Sequence, residues 1–292
     1  MTSTQFSEAQ LARYLYMFDA GELVRFSPLA GPGENSLYSV TMSEHGEEED
    51  YVLTILETVS FDEISFFHNL ISHLSYYGLP VPAPRRTLDG MTSTIFCGRP
   101  TLLMPSMDGE QVAEAGADEV HALGTLLGEL HDATSSYEHS RSNAHGVEEL
   151  GASLADANLD EATGTAVRTA LDRAGALGEL PSGVIHADLT RANVLFDAGE
   201  ISAVTDFFKA CNERLIEDVA IALNDWCTNP DGSLDDARQA ALLEGYSRER
   251  EPSADELAAL PTLRALAAAR AIMRAGRAGS DPAFHARILN AC

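Results

Sequence analysis

Two short apolar runs, VLF (194–196) and ISAVT (201–205), flank the turn sequence DAGE (197–200). β-prone runs of that length around a glycine-bearing turn predict a β-hairpin. An antiparallel hairpin returns the chain to its starting point. Asn193, just before the first strand, and Asp206, just after the second, are therefore expected to converge. An amide oxygen and a carboxylate are hard oxygen ligands, suited to Mg2+ that carries phosphate groups. The longer segments on either side of this hairpin read as helix.

The rest of the chain changes character near residue 109. Before it, residues 5–20 read as a helix, with Phe6, Leu11, Leu15 and Phe18 on one face. Three strand-like runs follow, LVRFSPLA, LYSVTM and YVLTILE, joined by GPGENS and by the polar SEHGEEED. A helix over about 61–77 ends at GLPVPAP, where repeated prolines cannot continue it. Short strands come around 93–97 and 100–105. After Gly109, helical patterns dominate, over about 117–132, 160–176, 213–227, 234–248 and 254–276. The expected fold is α+β: a small antiparallel-sheet N-terminal lobe (1–106) and a mostly helical C-terminal lobe (107–292). A cleft between lobes is a favoured place for a small-molecule site.

Asp188 lies five residues before Asn193 in the same loop. A carboxylate there can accept a proton from an attacking hydroxyl or orient it. His186 is expected to hold the loop by packing and hydrogen bonding. The order Asp-Leu-x-x-x-Asn, hairpin, Asp is similar to the catalytic loop and metal aspartate of protein-kinase-like phosphotransferases. In the N-terminal lobe, Gly31, Gly33, Asn35 and Ser36 lie between two strands. Glycine allows a backbone to approach phosphate oxygens closely, so this stretch is the candidate cradle for nucleotide phosphates.

The segment GVIHADLTRANVLFDAGEISAVTDFFKACNERLIEDVAIALNDWC (183–227) resembles the core of the bacterial homoserine kinases of the aminoglycoside phosphotransferase–choline kinase group. ENS-x-Y, YVLT-x-x-E, GLPVPAP, GRP, R-x-NA and LLEGY fit in order, and the resemblance runs to about residue 265. It implies a protein-kinase-like two-lobe fold, with nucleotide on the N-terminal lobe and catalysis and acceptor binding on the other. The implied reaction moves the ATP γ-phosphoryl group to the side-chain hydroxyl of L-homoserine, a step toward threonine. Asp188 would be the base, Asn193 and Asp206 would hold Mg2+, and Asp218 would support the catalytic loop. Asn224, Asp225, Trp226 and Arg141 are candidates for the acceptor site, with Asp225 as a partner for an ammonium group. Two alternatives stay open: a kinase of another hydroxylated amine, aminoglycoside or choline-like, and a nucleotide-binding pseudokinase.

Departures from the family sharpen the question. Strand YVLTILE lacks the lysine with which many kinases hold ATP phosphates, and Glu57 is followed by Thr58 and Val59. The only lysine in 292 residues is Lys209, three positions after Asp206. It is placed to meet a phosphate, the acceptor's carboxylate or only solvent. Formal net charge is −26, which argues against nucleic acid as a partner, since a phosphate backbone would be repelled. Acidic residues spread along the whole chain fit a surface adapted to high salt, where screening weakens self-repulsion. Four scattered cysteines without CxxC spacing, no signal peptide and no long apolar run point to a reducing cytoplasm rather than a membrane.

Overall fold

A computed structural model describes residues 4–29 and 35–292; Gly31 and Gly33 lie outside the described residues. The chain forms two compact units. The first comprises Met1–Asp108 and Ala203–Phe208, the second Gly109–Ser202 and Lys209–Cys292. The division thus comes after Asp108 rather than after residue 106, and a segment distant in sequence joins the first unit. Two contacts tie it there. The Val204 amide donates to the Pro80 carbonyl at 2.7 Å, and the Phe208 ring packs edge-on against Phe67 at 5.6 Å.

The first unit opens with helix α1 (Glu8–Leu15). Ser7 caps it, and Gln10 reaches back to the Ser7 amide at 2.9 Å in a capping box. The helix is shorter than its apolar pattern, because a 3-10 turn (Tyr16–Phe18) takes over and ends at Asp19 with φ 48°. Strands β1 (Glu22–Pro28), β2 (Ser36–Glu44) and β3 (Glu47–Ile55) follow. Then come helix α2 (Ile64–Tyr76) and strands β4 (Thr94–Phe96) and β5 (Arg99–Pro105). The five strands make one antiparallel sheet in the order β1-β2-β3-β5-β4. The polar SEHGEEED is strand rather than a linker. His45 (φ 53°) and Gly46 (φ 90°) make a tight hairpin turn, and the acidic residues beyond it pair in register, Met42 with Glu49 and Thr41 with Asp50. A backbone ladder needs no apolar side chain, and Arg25 meets Glu48 at 2.7 Å beside it.

Alternation gives the sheet two dry faces. Leu53, Ile55 and Leu103 pack with Leu11, Leu15 and Phe18 of the N-terminal helical segment. Leu56, Leu102 and Met104 pack with Ile64 of α2 on the other side.

The second unit is helical around two small sheets. Its elements are α3 (Ala117–Thr134), α4 (Val147–Ser153), α5 (Glu161–Gly175) and β6 (Ser182–Ile185). The hairpin strands β7 (Val194–Asp197) and β8 (Glu200–Val204) come next, then β9 (Cys211–Arg214). Helices α6 (Ile216–Trp226), α7 (Asp236–Glu249), α8 (Ala254–Ala278) and α9 (Ala283–Ala291) complete it. β6 pairs with β9, and β7 with β8. The predicted hairpin turn is formed by Ala198 (φ 49°) and Gly199 (φ 90°). Helices α3 and α7 touch backbone to backbone. A Cβ on Gly124 would lie 2.2 Å from the Leu242 carbonyl oxygen, and one on Gly245 2.1 Å from that of His121. Among the described residues, no helix is long and apolar enough to cross a membrane.

Candidate active site

The loop from His186 to Asn193 is held from beneath by one helix. Asp218 and Asp225 are seven residues apart on α6, which puts both carboxylates on one helix face, two turns apart. Asp218, fully buried, accepts the His186 amide at 2.7 Å and the Ala187 amide at 2.8 Å. Asp225 accepts the Arg191 amide at 2.8 Å and its Nε at 3.0 Å. Between them, Trp226 Nε1 donates to the Leu189 carbonyl at 3.1 Å. The loop's bend places Ala187 in the left-handed region (φ 64°), a conformation that costs a non-glycine residue energy. The two carboxylate-bound amides hold it there.

Asp218 is also the end of a buried chain. His131 Nε2 lies 3.3 Å from Asp218 and Nδ1 2.9 Å from the Tyr246 hydroxyl, which Arg250 reaches at 2.8 Å. A carboxylate only accepts, so Nε2 carries the proton and Nδ1 accepts from the tyrosine. His131 therefore links α3 to both α6 and α7. The close α3–α7 approach brings it to Tyr246. Burial pushes the Asp218 carboxyl up, but the His131 ring and the His186 amide outweigh it and hold Asp218 below its ordinary pKa. His186 itself is buried, and its Nδ1 accepts the Asp188 amide at 3.2 Å, as loop support requires.

On this frame stands Asp188, 9% exposed. Its Oδ2 is engaged twice, by an ion pair with Lys209 Nζ and by Asn193 Nδ2 at 3.3 Å. Lys209 is thus not a solvent-facing residue. Oδ1 faces the Arg274 guanidinium of α8 at 3.8 Å, beyond hydrogen-bond range. Asn193 also donates to the Asp188 carbonyl at 2.8 Å, which fixes which side of its amide is nitrogen and which is oxygen. Asp206 follows β8 by two residues, with φ 61°.

Several predicted acceptor residues have other work. Asn224 is buried and clasps α8: its Nδ2 donates to the Arg264 carbonyl at 2.8 Å and its Oδ1 accepts Arg264 Nε at 2.9 Å. Trp226, fully buried, supports the loop rather than walling a pocket. Asp225 gives Oδ1 to Arg191, and its side chain stays 27% exposed. Arg141 runs beside β9, where its amide donates to Asn212 Oδ1 at 2.8 Å and its guanidinium to the Ala210 carbonyl at 3.2 Å. Their spacing in sequence says they are near the loop but not which helix face each occupies. Arg274 and Arg191 escaped notice because arginines are common here and carry no motif.

In the first unit, Ser36 and Asn35 turn inward. Ser36 Oγ donates to Glu57 Oε1 at 2.6 Å, and Asn35 Oδ1 accepts the Glu57 amide at 3.4 Å. Their side chains therefore anchor the strand ends rather than reaching out for phosphate. Thr4 adds two bonds to Glu57, at 2.7 and 3.0 Å, and Arg99 Nε lies 3.5 Å away. Desolvation pushes Glu57 up, but the Ser36 and Thr4 hydrogen bonds and Arg99 hold it below its ordinary pKa. Glu57 is thus satisfied by groups of its own unit.

Comparison with known proteins places this geometry. The phosphotransferase enzyme family matches residues 25–252. A homoserine kinase of Pseudomonas aeruginosa is 37% identical over 294 residues, covering 97% of this chain and 92% of that one. A homoserine kinase of Neisseria meningitidis is 34% identical, covering 89% and 85%. Among solved structures, an amicoumacin kinase in complex with AMP-PNP, Ca2+ and Ami superposes with a TM-score of 0.78 at 21% identity, covering 98% of this chain and 94% of that one. The microcompartment-associated aminopropanol kinase gives 0.74 at 20%, covering 97% and 92%. The match of one family over most of the chain, with relatives above 30% identity along nearly its full length, shows that the chain belongs to the phosphotransferase enzyme family.

Proposed function

We propose that this protein transfers the γ-phosphoryl group of ATP to the side-chain hydroxyl of L-homoserine, a step toward threonine. The observation that carries the reading is the way Asp188 is held. Lys209 and Asn193 occupy Oδ2, which leaves Oδ1 to meet an acceptor hydroxyl. It stands in a chain 37% identical to a homoserine kinase over 97% of its length.

In this mechanism Asp188 Oδ1 takes the hydroxyl proton as the hydroxyl oxygen attacks the γ-phosphorus. The bond from that phosphorus to the β,γ-bridging oxygen breaks, and ADP leaves with the electron pair. Asn193 and Asp206, an amide oxygen and a carboxylate, would be the oxygen ligands of Mg2+. When bound, that ion would neutralise charge on the phosphates. Lys209 supplies a cation beside the base, a partial substitute for the lysine absent from β3. The sheet unit (1–108) would bind ATP. The helical unit would carry catalysis and the acceptor. Four free cysteines fit a reducing, cytoplasmic setting.

The test is ADP release with Mg2+-ATP and, in turn, homoserine, serine, choline and kanamycin. Acceleration by homoserine alone is expected. Acceleration by a different alcohol would overturn the acceptor, and ATP-induced thermal stabilisation without turnover would turn the reading to a pseudokinase. Asp188→Asn should abolish turnover and leave nucleotide binding intact.

A further inference from the structure

Around the base the arginines are spent on structure, with one exception. Helix α8 carries four arginines. Arg264 bonds Asn224, Arg277 bonds Ser153 Oγ at 2.6 Å, and Arg270 pairs with Glu217 at 2.8 Å and donates to the His145 carbonyl at 2.9 Å. Arg191, also beside the loop, is committed to Asp225 and to the Ala113 carbonyl. Arg274 differs. Among the described residues its guanidinium makes no hydrogen bond, and its side chain is 53% exposed, 3.8 Å from Asp188 Oδ1.

Leaving a guanidinium uncommitted beside a catalytic carboxylate needs a reason. Arginine offers a rigid planar fork that matches a carboxylate in a bidentate pair. A homoserine whose hydroxyl sits against Asp188 Oδ1 has its carboxylate carbon four bonds away, roughly 5 Å in the extended form. That reach spans from Oδ1 past the near nitrogen of the Arg274 fork. Beside it, His285 of α9 is held below its ordinary pKa by burial and by Arg274, against the pull of Asp225. A neutral imidazole there leaves Arg274 as the charged group for an anion.

We infer that Arg274 recognises the acceptor's carboxylate and thereby selects hydroxy-amino acids over amino alcohols of the same length. The inference rests on the proposed kinase reading and names the residue that would set its specificity. Arg274 adds nothing to the attack itself. It positions the hydroxyl by gripping the far end of the molecule.

The discriminating probe is 3-aminopropan-1-ol, which is homoserine without its carboxylate. Steady-state kinetics of wild type, Arg274→Met and Arg274→Lys are compared on both acceptors, with KM for ATP and thermal unfolding as controls. Arg274→Met is expected to raise KM for homoserine by about 30–100-fold, the lower end for loss of one partner from a charge pair at a half-exposed site. Its kcat should stay within a few-fold, and kcat/KM for 3-aminopropan-1-ol should fall at least tenfold less than kcat/KM for homoserine. Arg274→Lys, with charge but no fork, should fall between. Equal losses on both acceptors, or an unchanged KM for homoserine, would overturn the assignment while leaving the kinase reading intact. Failure of the wild type to turn over homoserine would overturn both.

Discussion

Replacing Lys209 by methionine removes the cation nearest the proposed base while keeping most of the length of the side chain. The pair is mostly shielded from water, with side chains 20% and 12% exposed, so solvent screens it weakly. Two unit charges about 4 Å apart at an effective dielectric near 20 attract by about 4 kcal/mol, which bounds what one cation can give the transferring phosphoryl group. Loss of one preorganised group of this kind costs about 100–1000-fold in kcat, or about 2.7–4 kcal/mol. The effect on folding should be smaller. Asn193 still bonds Oδ2 and Arg274 still faces Oδ1, so about 1 kcal/mol is expected, or roughly 2–4 °C in Tm. The assay is coupled ADP release at saturating ATP and homoserine, with thermal unfolding measured in parallel. Repeating the substitution in an Asp188→Asn background, and measuring ATP affinity, which that change leaves intact, separates two roles. A lysine acting only through Asp188 costs nothing further there, whereas one that also contacts the phosphoryl group costs more. A folded Lys209→Met enzyme with kcat within threefold of wild type would refute the reasoning.

Other perturbations test the frame. Asp218→Asn should destabilise by about 2–4 kcal/mol at neutral pH, because it weakens two amide bonds and the His131 contact in a buried site. Asp218 has a lowered folded pKa, so its stabilisation is full above the ordinary carboxyl range and lost as pH falls through the lowered value. Urea midpoints of wild type and variant should therefore converge in acid, and a pH-independent gap would contradict the ionised role. Ala187→Gly should be neutral or up to about 1 kcal/mol stabilising, and Ala187→Val destabilising by about 1–3 kcal/mol, given φ 64°; a valine variant as stable as wild type would show that the bend carries no strain. With a net charge of −26, Tm should rise between 0.1 and 1 M KCl as the Debye length shrinks from about 10 to 3 Å; a flat or falling Tm would remove the case for a salt-adapted surface.

What was legible in the sequence is what local chemistry decides. The β7–β8 turn reads from Ala198-Gly199, the end of α2 from the prolines after it, and the loop from the order of Asp188 and Asn193. Paired strands without apolar side chains were not legible: the acidic run after Gly46 is strand because β2 supplies its ladder partner, a fact held in the other strand. The N-terminal helix stops early for a similar reason, since Asp19 in the left-handed region turns a chain whose apolar pattern would continue.

The site divides along the same line. Asp218 and Asp225 could have been recognised as a pair from their spacing of seven, which sets both on one face of α6 toward one loop. Asn224 and Trp226 are 200° apart around that helix and cannot share a ligand-facing side; one clasps α8 and the other holds Leu189. Lys209 was conspicuous by its rarity, yet its partner Asp188 is 21 positions away and becomes visible only once the loop and the turn after β8 are folded. Arg274 had no such mark. Its significance lies in what its neighbours on α8 do, because three committed arginines make the fourth, uncommitted one informative. An arginine that leaves its hydrogen bonds unmade beside a carboxylate has given up stability, and recognition of an anionic ligand accounts for that loss.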